Sequence, residues 1–518
     1  MITNTRHKVL VMRLKDPSRV LSIIPTAKPF LYKGQELTVV PHGITEYKLL
    51  KNLDLDPPHP VDAYYPWPGA FAPLDAQRET VRFLTAHNRA YCLNDLGTGK
   101  TLSALWAFDF LREQGLAKRL LVVAPLSTME RTWGDEIFRH FPHLHFVTLH
   151  GTSDRRRMLL RNPTADVFII NHDGVKVITE ALVSRTDIDT IIIDELAQVA
   201  RNSQTDRWKA LKALIDKRER VWGLTGTPTP NAPTDAWAQC RLLTPSTVPT
   251  FFASFRDMTM RQTSTYNWVI RDEALDLVHQ AMQPSIRFSR DECVDLPPVM
   301  YETREVPLSK DQQAAYDSMM AQLFAEFQGG QITAVNEAVK TMKLVQICTG
   351  SIYGDDGTTV VIPPKARINA LLDIIEEAPS KVIVFVPFKA ALRALHAEVS
   401  KYHAAEMIYG EVSKNDRDRI LGNFQKSDQP RVLIAQPAAM SHGLTLTAAS
   451  VIVWFAPITS AETYEQANGR ITRPGQIHNQ LIMHIQGSRL EARMYERLRK
   501  KVALQGTLLD MFREATNA

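Results

Sequence analysis

The sequence predicts an α/β protein with two parallel-sheet lobes, a helical insertion between them and a small strand-rich module in front. Three observations carry this. Short β-branched runs alternate with amphipathic stretches from about residue 75 to 245, and strands alternating with helices imply a parallel sheet covered on both faces. The same rhythm returns near the C-terminus, while the stretch between the two blocks is more helical and less regular. Ahead of the first block, short apolar runs are broken by turn residues. The resulting domains are 1–65, the N-terminal module and a candidate for DNA recognition; 66–245, the first lobe; 246–365, a helical protrusion and linker; and 366–518, the second lobe.

Composition agrees with this count. The chain has 518 residues, 44% of them hydrophobic and 23% charged, enough for several cores at roughly 150 residues per domain. Disorder, collagen and coiled coil are excluded for the whole chain. The net charge of +5 permits a nucleic-acid partner without naming one. Cys92, Cys240, Cys293 and Cys348 have no zinc or redox spacing and read as buried or incidental thiols of a reducing compartment. The first residues lack a signal-peptide core, and no apolar run approaches the ~20 residues of a membrane helix. A cytoplasmic protein without membrane contact is expected.

In chain order, residues 7–50 hold the runs VLVM, VLSII and LTVV, all read as strand-like. The stretch PPHPVDAYYPWPGAFAP, 57–73, reads as an extended connector, because prolines neither continue helices nor donate to ladders. Its Tyr64, Tyr65, Trp67 and Phe71 suggest that it packs against something. Helical periodicity runs from Asp75 to about His87. The strands of the first lobe are RLLVVA (119–124), DVFIIN (166–171), TIII (190–193) and VWGLT (221–225). Those of the second are KVIVFV (381–386), RVLIA (431–435), VIVWF (451–455) and QLIMHI (480–485).

LNDLGTGKT, ending at Thr101, leads into the helical run TLSALWAFDFL. Gly97, Thr98 and Gly99 form a loop whose backbone can wrap phosphates, and the following helix N-terminus aims amides at negative charge. Lys100 would meet the β and γ phosphates and the Thr101 hydroxyl would hold Mg²⁺. The strict pattern has Gly where Asn94 stands, so the match is partial. TIIIDELA then places Asp194 and Glu195 at the C-terminal end of a buried strand, where open α/β sheets bind ligands. Asp194 can bind the metal, and Glu195 can orient or deprotonate an attacking water.

With GLTGTPTPN (223–231) added, the chain resembles a superfamily-two helicase, most of all the Swi/Snf-type DNA-dependent ATPases. The resemblance covers about 71–505 and keeps the family's motif order. PLDAQ supplies Gln77, similar to the family's adenine-reading glutamine, and LNDLGTGKT is similar to motif I. VVAPLSTMERTW (122–133) resembles motif Ia, DELAQVARN motif II and GLTGTPTPN motif III. VDLPPVMYETREVPLSKDQQAAY (294–316) resembles a segment typical of this branch. KVIVFVPF resembles motif IV, SHGLTLTAASVIVWFAP (441–457) motif V and EQANGRITRPGQ (465–476) motif VI. The resemblance implies two RecA-like lobes, ATP with Mg²⁺ as cofactors, and DNA as partner, duplex or branched. It also implies that Gln466 serves the nucleotide and that Arg470 and Arg473 reach the γ phosphate. Motif II reads Asp-Glu-Leu-Ala where the family usually has Asp-Glu-Ala-His, so the coupling role of that His does not carry over. The compact chain looks like phage or bacterial members.

Two groups of charge lie outside these motifs. Arg155, Arg156 and Arg157 are either a solvated run or a DNA-backbone contact. Arg489, Arg493, Arg497 and Lys501 repeat every four residues and share a helix face. Three functions are open: a translocase on duplex DNA, a strand-separating or branch-migrating helicase, and an ATP-switched clamp that does not move. Glu195, Arg470 and Arg473 argue against the clamp, which has no need of fast hydrolysis. No pin or wedge is legible, although a short hairpin within 246–365 would escape notice.

Overall fold

The computed structural model describes residues 1–502 except 265–266, 294–295, 329–333, 354–357, 441–444 and 474. The described chain divides into two compact units: Met1–Thr229 with Pro233–Cys293, and the remainder after Cys293 with Pro230–Ala232.

The first unit is built on a seven-stranded, all-parallel sheet. Its order is Ser285–Ile286, Arg89–Cys92, Arg220–Leu224, Ile188–Asp194, Arg119–Ala124, Val167–Asn171, Phe146–Leu149. A hydrophobic core lies on each face. Helix Lys100–Glu113 is buried without interruption from Leu102 to Leu111, as a helix packed on several sides must be. The four strands read from the sequence are all present. Arg89–Cys92 and Phe146–Leu149 are added, and the edge strand Ser285–Ile286 comes from within the 246–365 stretch. That stretch also holds helices Lys310–Gln328 and Ala334–Thr349 and an antiparallel hairpin, Met260–Ser264 with Asn267–Ile270.

The second unit carries a six-stranded parallel sheet. Its order is Val299–Glu305, Gln480–Gln486, Ala449–Trp454, Lys381–Phe385, Val432–Ala435, Ala405–Ile408. All four predicted strands are there. The helix that starts at Arg489 is fixed by Glu491, which is fully buried and pairs with Arg367 through both carboxylate oxygens at 2.8 Å.

The N-terminal module is a four-stranded antiparallel sheet in the order Ile2–Asn4, Val9–Met12, Gln35–Pro41, Lys28–Tyr32. It has its own core, including Leu10, Met12, Val40 and Leu50. VLVM and LTVV are strands, but VLSII lies in helix Pro17–Ile23 and the bend after it. Asp16 caps that helix by accepting from the Ser18 amide, and Pro17 occupies its first turn, so local start signals override β propensity. The connector is likewise not extended throughout, since Pro60–Tyr64 forms one helical turn started by Pro60. It is strapped to helix Lys100–Glu113. The Tyr65 hydroxyl donates to Asp109 Oδ2 at 2.7 Å, His143 Nε2 meets Asp109 Oδ1 at 2.7 Å, and the Trp106 indole donates to the Pro68 carbonyl.

Cys92, Cys240 and Cys348 are buried free thiols. Among the described residues, no helix is long and apolar enough to cross a membrane. Tyr65→Phe removes one of the two groups satisfying the fully buried Asp109 carboxylate. We expect this to cost about 1–3 kcal/mol, measured as a lower urea midpoint at unchanged slope.

Candidate functional site

The loop 93–99 links strand Arg89–Cys92 to helix Lys100–Glu113. Gly97 and Gly99 have φ of 88° and 78°, a region L side chains rarely enter. A Cβ on Gly99 would also stand 2.1 Å from Gln77 Nε2. Gln77 is thus brought against the loop, with its Oε1 accepting from the Leu74 amide at 2.9 Å. Asn94, the departure from the strict pattern, is a buried brace. Its Nδ2 donates to Thr80 Oγ1 and its Oδ1 accepts from the Phe288 amide, each at 2.9 Å.

Lys100 turns into its own loop, donating to the Asn94 and Asp95 carbonyls at 2.7 and 2.9 Å. Thr98 Oγ1 donates to the same Asp95 carbonyl, and Thr101 lies in the first turn of the helix. Burial pushes the Lys100 ammonium below its usual range, while the charges of Glu195 and Asp194 act to hold its proton. Lys100, Asp194 and Glu195 thus all lie at the C-terminal edge of the seven-stranded sheet.

Asp194 ends strand Ile188–Asp194. Its Oδ2 accepts from the Trp133 indole at 2.9 Å and its Oδ1 from the Glu195 amide at 3.1 Å. Burial raises its carboxyl, opposed first by the Trp133 bond and then by Lys100. Glu195 is left-handed, with φ 50° and ψ 51°, an uncommon conformation for this residue type that concentrates at functional sites. Leu196 and Ala197 fill buried apolar space, where a Cβ on Gly223 would stand 2.6 Å from the Leu196 side chain.

Three residues of this site were not identified from the sequence as contributors. Trp133 stood in the quoted motif with no role attached. His172 directly follows strand Val167–Asn171, and its Nε2 lies 2.9 Å from the Asp194 carbonyl. Burial pushes its imidazole down to about 4, so the neutral ring donates to that carbonyl. Its position at a C-terminal strand end was the available signal. Arg287 is buried and donates to Asp95 Oδ1 at 2.6 Å and to the Leu93 carbonyl. Nothing local marks it, because it lies almost two hundred residues downstream.

Gln466, Arg470 and Arg473 lie in the second unit. Gln466 is buried on helix Ala461–Asn468. Arg470 and Arg473 occupy the turn after it. Arg470 is buried, and Arg473 is half-buried with its Nε donating to the Gly469 carbonyl at 2.9 Å. The SHGL of 441–444, Pro474 and the first two residues of VDLPP lie outside the described residues. Of the arginine run, Arg155 and Arg157 are exposed. Arg156 is buried and holds the Gly151 and Leu149 carbonyls, a structural role. Arg489, Arg493 and Arg497 are exposed and Lys501 is half-buried.

No cluster of three or more His, Cys, Asp or Glu able to hold a metal occurs among the described residues. The all-oxygen pair of Asp194 and Thr101 suits Mg²⁺, which typically uses one or two protein groups and completes its shell with water and phosphate oxygens.

Comparison with known proteins places two families on the chain. The SNF2-related domain matches residues 76–350, and the Helicase conserved C-terminal domain matches 366–475. "Putative protein p41" of Acyrthosiphon pisum secondary endosymbiont phage 1 is 29% identical, over 85% of this chain and 98% of its own. The "DNA annealing helicase and endonuclease ZRANB3" of Homo sapiens is 24% identical over 86% of this chain. The "SWI/SNF-related matrix-associated actin-dependent regulator of chromatin subfamily A-like protein 1" of Xenopus laevis is 25% identical over 77%. The match spans only about two fifths of each of these two longer proteins, 41% and 40%. The "Sulfolobus solfataricus SWI2/SNF2 ATPase core in complex with dsDNA" aligns over 88% of this chain and 96% of its own, at 22% identity and a TM-score of 0.42.

His172 sets a pH dependence. The unfolded chain takes up its proton near the ordinary 6.5, but the folded ring resists until about 4. Stability from this group is complete above 6.5 and falls as pH drops through that window, because the unfolded state binds more protons. His172→Gln keeps a donor without titrating there. Urea titrations at stepped pH should show a shallower acid loss for the variant.

Proposed function

The chain belongs to the SNF2-related domain family, and from that premise we propose that this helicase-like ATPase hydrolyses ATP to move along or remodel duplex DNA. The observation that carries the reading is the placement of Lys100, Asp194 and Glu195 at the C-terminal edge of the first sheet, beside the loop of Gly97, Thr98 and Gly99. In this reading Lys100 exchanges its loop carbonyls for the β and γ phosphates, and the loop and helix amides hold their oxygens. Gln77, beside Gly99, meets the adenine. Asp194 and Thr101 hold Mg²⁺, whose charge offsets that of the phosphates. Glu195 accepts the proton of the attacking water, with its position set by the left-handed turn. Trp133 and His172 keep Asp194 oriented, as outer partners of metal ligands do.

The second unit contributes Arg470 and Arg473, and Gln466, on the preceding helix, serves the nucleotide. A guanidinium at the γ phosphate neutralises charge that develops in phosphoryl transfer. These arginines and Lys100 belong to different units, so turnover is expected to depend on residues of both. Contacts with backbone phosphates carry no sequence information and weaken with salt.

The second reading is a strand-separating helicase. The hairpin Met260–Ser264 with Asn267–Ile270 favours it, since it exposes Arg261, Gln262 and Thr263, and Arg256 of the preceding helix Phe252–Thr259 lies over its Trp268 ring at 4.1 Å.

Lys100→Ala should abolish hydrolysis. Glu195→Gln should bind ATP and slow turnover by about 10² or more. Arg473→Ala should keep ATP affinity within several-fold and lose about 10³ in kcat, and equal losses in binding and turnover would mark it as structural. Duplex DNA of any sequence should stimulate the ATPase and permit displacement of a bound third strand. Robust unwinding of forks, with single strands the better activator, would favour the helicase.

A further inference from the structure

The N-terminal sheet is apolar on both faces. Along Val9–Met12 and Gln35–Pro41 burial alternates with period two. One face, with Leu10, Met12 and Val40, packs on Val20, Ile24 and Leu50. The other is made of Val9, Val11, Leu37 and Val39, which are half-buried and take no part in that core. An antiparallel sheet with one side in water ordinarily places polar residues there, and a contiguous apolar face marks an interaction site.

The edge strand Lys28–Tyr32 extends this face. Register sets Phe30 opposite Leu37, Lys28 opposite Val39 and Tyr32 opposite Gln35, so Lys28, Phe30 and Tyr32 share its side. Phe30 and Tyr32 are 49% and 53% exposed. Their rings are nearly parallel, 16° apart with centroids 6.4 Å apart. Lys33, in the turn that follows, sits 5.5 Å over the Tyr32 ring. Residues 1–41 hold seven Lys and Arg against two Asp and Glu, a net +5 equal to that of the entire chain. The rest of the sequence is neutral.

From this we infer that the open face of the N-terminal sheet binds single-stranded DNA, with bases stacked on Phe30 and Tyr32 and phosphates held by Lys28 and Lys33. The inference rests on the reading of the chain as a DNA motor, and it names an unpaired strand as a second form of DNA that the protein holds. Three features select this occupant. Exposed aromatic faces flanked by cations suit planar bases on an anionic backbone. The concentrated positive charge complements a polyanion. Strand addition by a protein is disfavoured because Pro29 removes a donor from the edge and lysines flank it.

The test is the full-length double variant Phe30→Leu/Tyr32→Leu, which keeps apolar volume and removes the rings. Binding of a fluorescein-labelled oligothymidylate is read by anisotropy without ATP, beside ATPase stimulated by blunt duplex. We expect oligothymidylate affinity to fall by about tenfold or more, with duplex-stimulated ATPase within twofold of the parent. Phe30→Tyr/Tyr32→Phe, which retains both rings, should bind as the parent does. Unchanged oligothymidylate affinity in the leucine variant, or equal losses on single strand and duplex, would overturn the inference. So would concentration-dependent self-association of the parent that the variant abolishes while DNA binding is unaltered. A parent ATPase that no DNA stimulates would instead sink the motor reading, leaving the anisotropy result to stand or fall alone.

Discussion

A positive charge buried at the end of a parallel sheet organises the first unit. The Lys100 ammonium turns inward from water, and burial lowers its pKa. Its protonated form is held by the Asn94 and Asp95 carbonyls and by the fields of Asp194 and Glu195. Each of these groups is itself fixed by something further out. Asn94 is braced to Thr80 and Phe288, Asp95 to Arg287, and Asp194 to Trp133 and His172. The loop is thereby tied to a helix on one side and to the sheet's late edge strand on the other. In the proposed reading a bound phosphate would give Lys100 a better partner than two carbonyls, with the rest of this shell already in place.

Much of this was legible in the sequence, for a physical reason. Strands of a parallel sheet are buried on both faces, so they appear as unbroken apolar runs such as TIII and VIVWF. The glycine and carboxylate motifs sit at their ends. What escaped was short or remote. Phe146–Leu149 and Ala405–Ile408 are four-residue edge strands, too brief to show periodicity. VLSII has strand-like composition, yet Asp16 and Pro17 start a helix there. Trp133, His172 and Arg287 act through hydrogen bonds made across the fold, and no local pattern encodes such contacts. Arg156 shows the converse, since a run of like charges conceals one member that is a buried carbonyl clamp.

The departure in motif II also has a local account. With Leu196 and Ala197 after Asp194-Glu195, the turn is apolar and packs toward Gly223 and Leu243. A polar partner for the strand end comes instead from His172, on the neighbouring side of the sheet. Neutral and buried, it contributes a donor but no charge. The second unit secures its last described helix by the opposite means, a fully desolvated Arg367–Glu491 pair. Such pairs add little net stability but are costly to break, so they fix position more than they add free energy.

The N-terminal module keeps a core of its own, and helix Ile44–Lys51 is shared between that core and the larger one. Ile44 belongs to the core beneath the seven-stranded sheet and Leu50 to the module. Small cores open at lower free energy than large ones. The module is therefore expected to open as a foldon of its own, its amide hydrogens exchanging through a local opening at lower free energy than global unfolding. Within that helix, protection is expected to rise from the Leu50 end to the Ile44 end. On this account the boundary between the two cores runs through a regular element, helix Ile44–Lys51, and not through the proline-rich connector that composition alone would select.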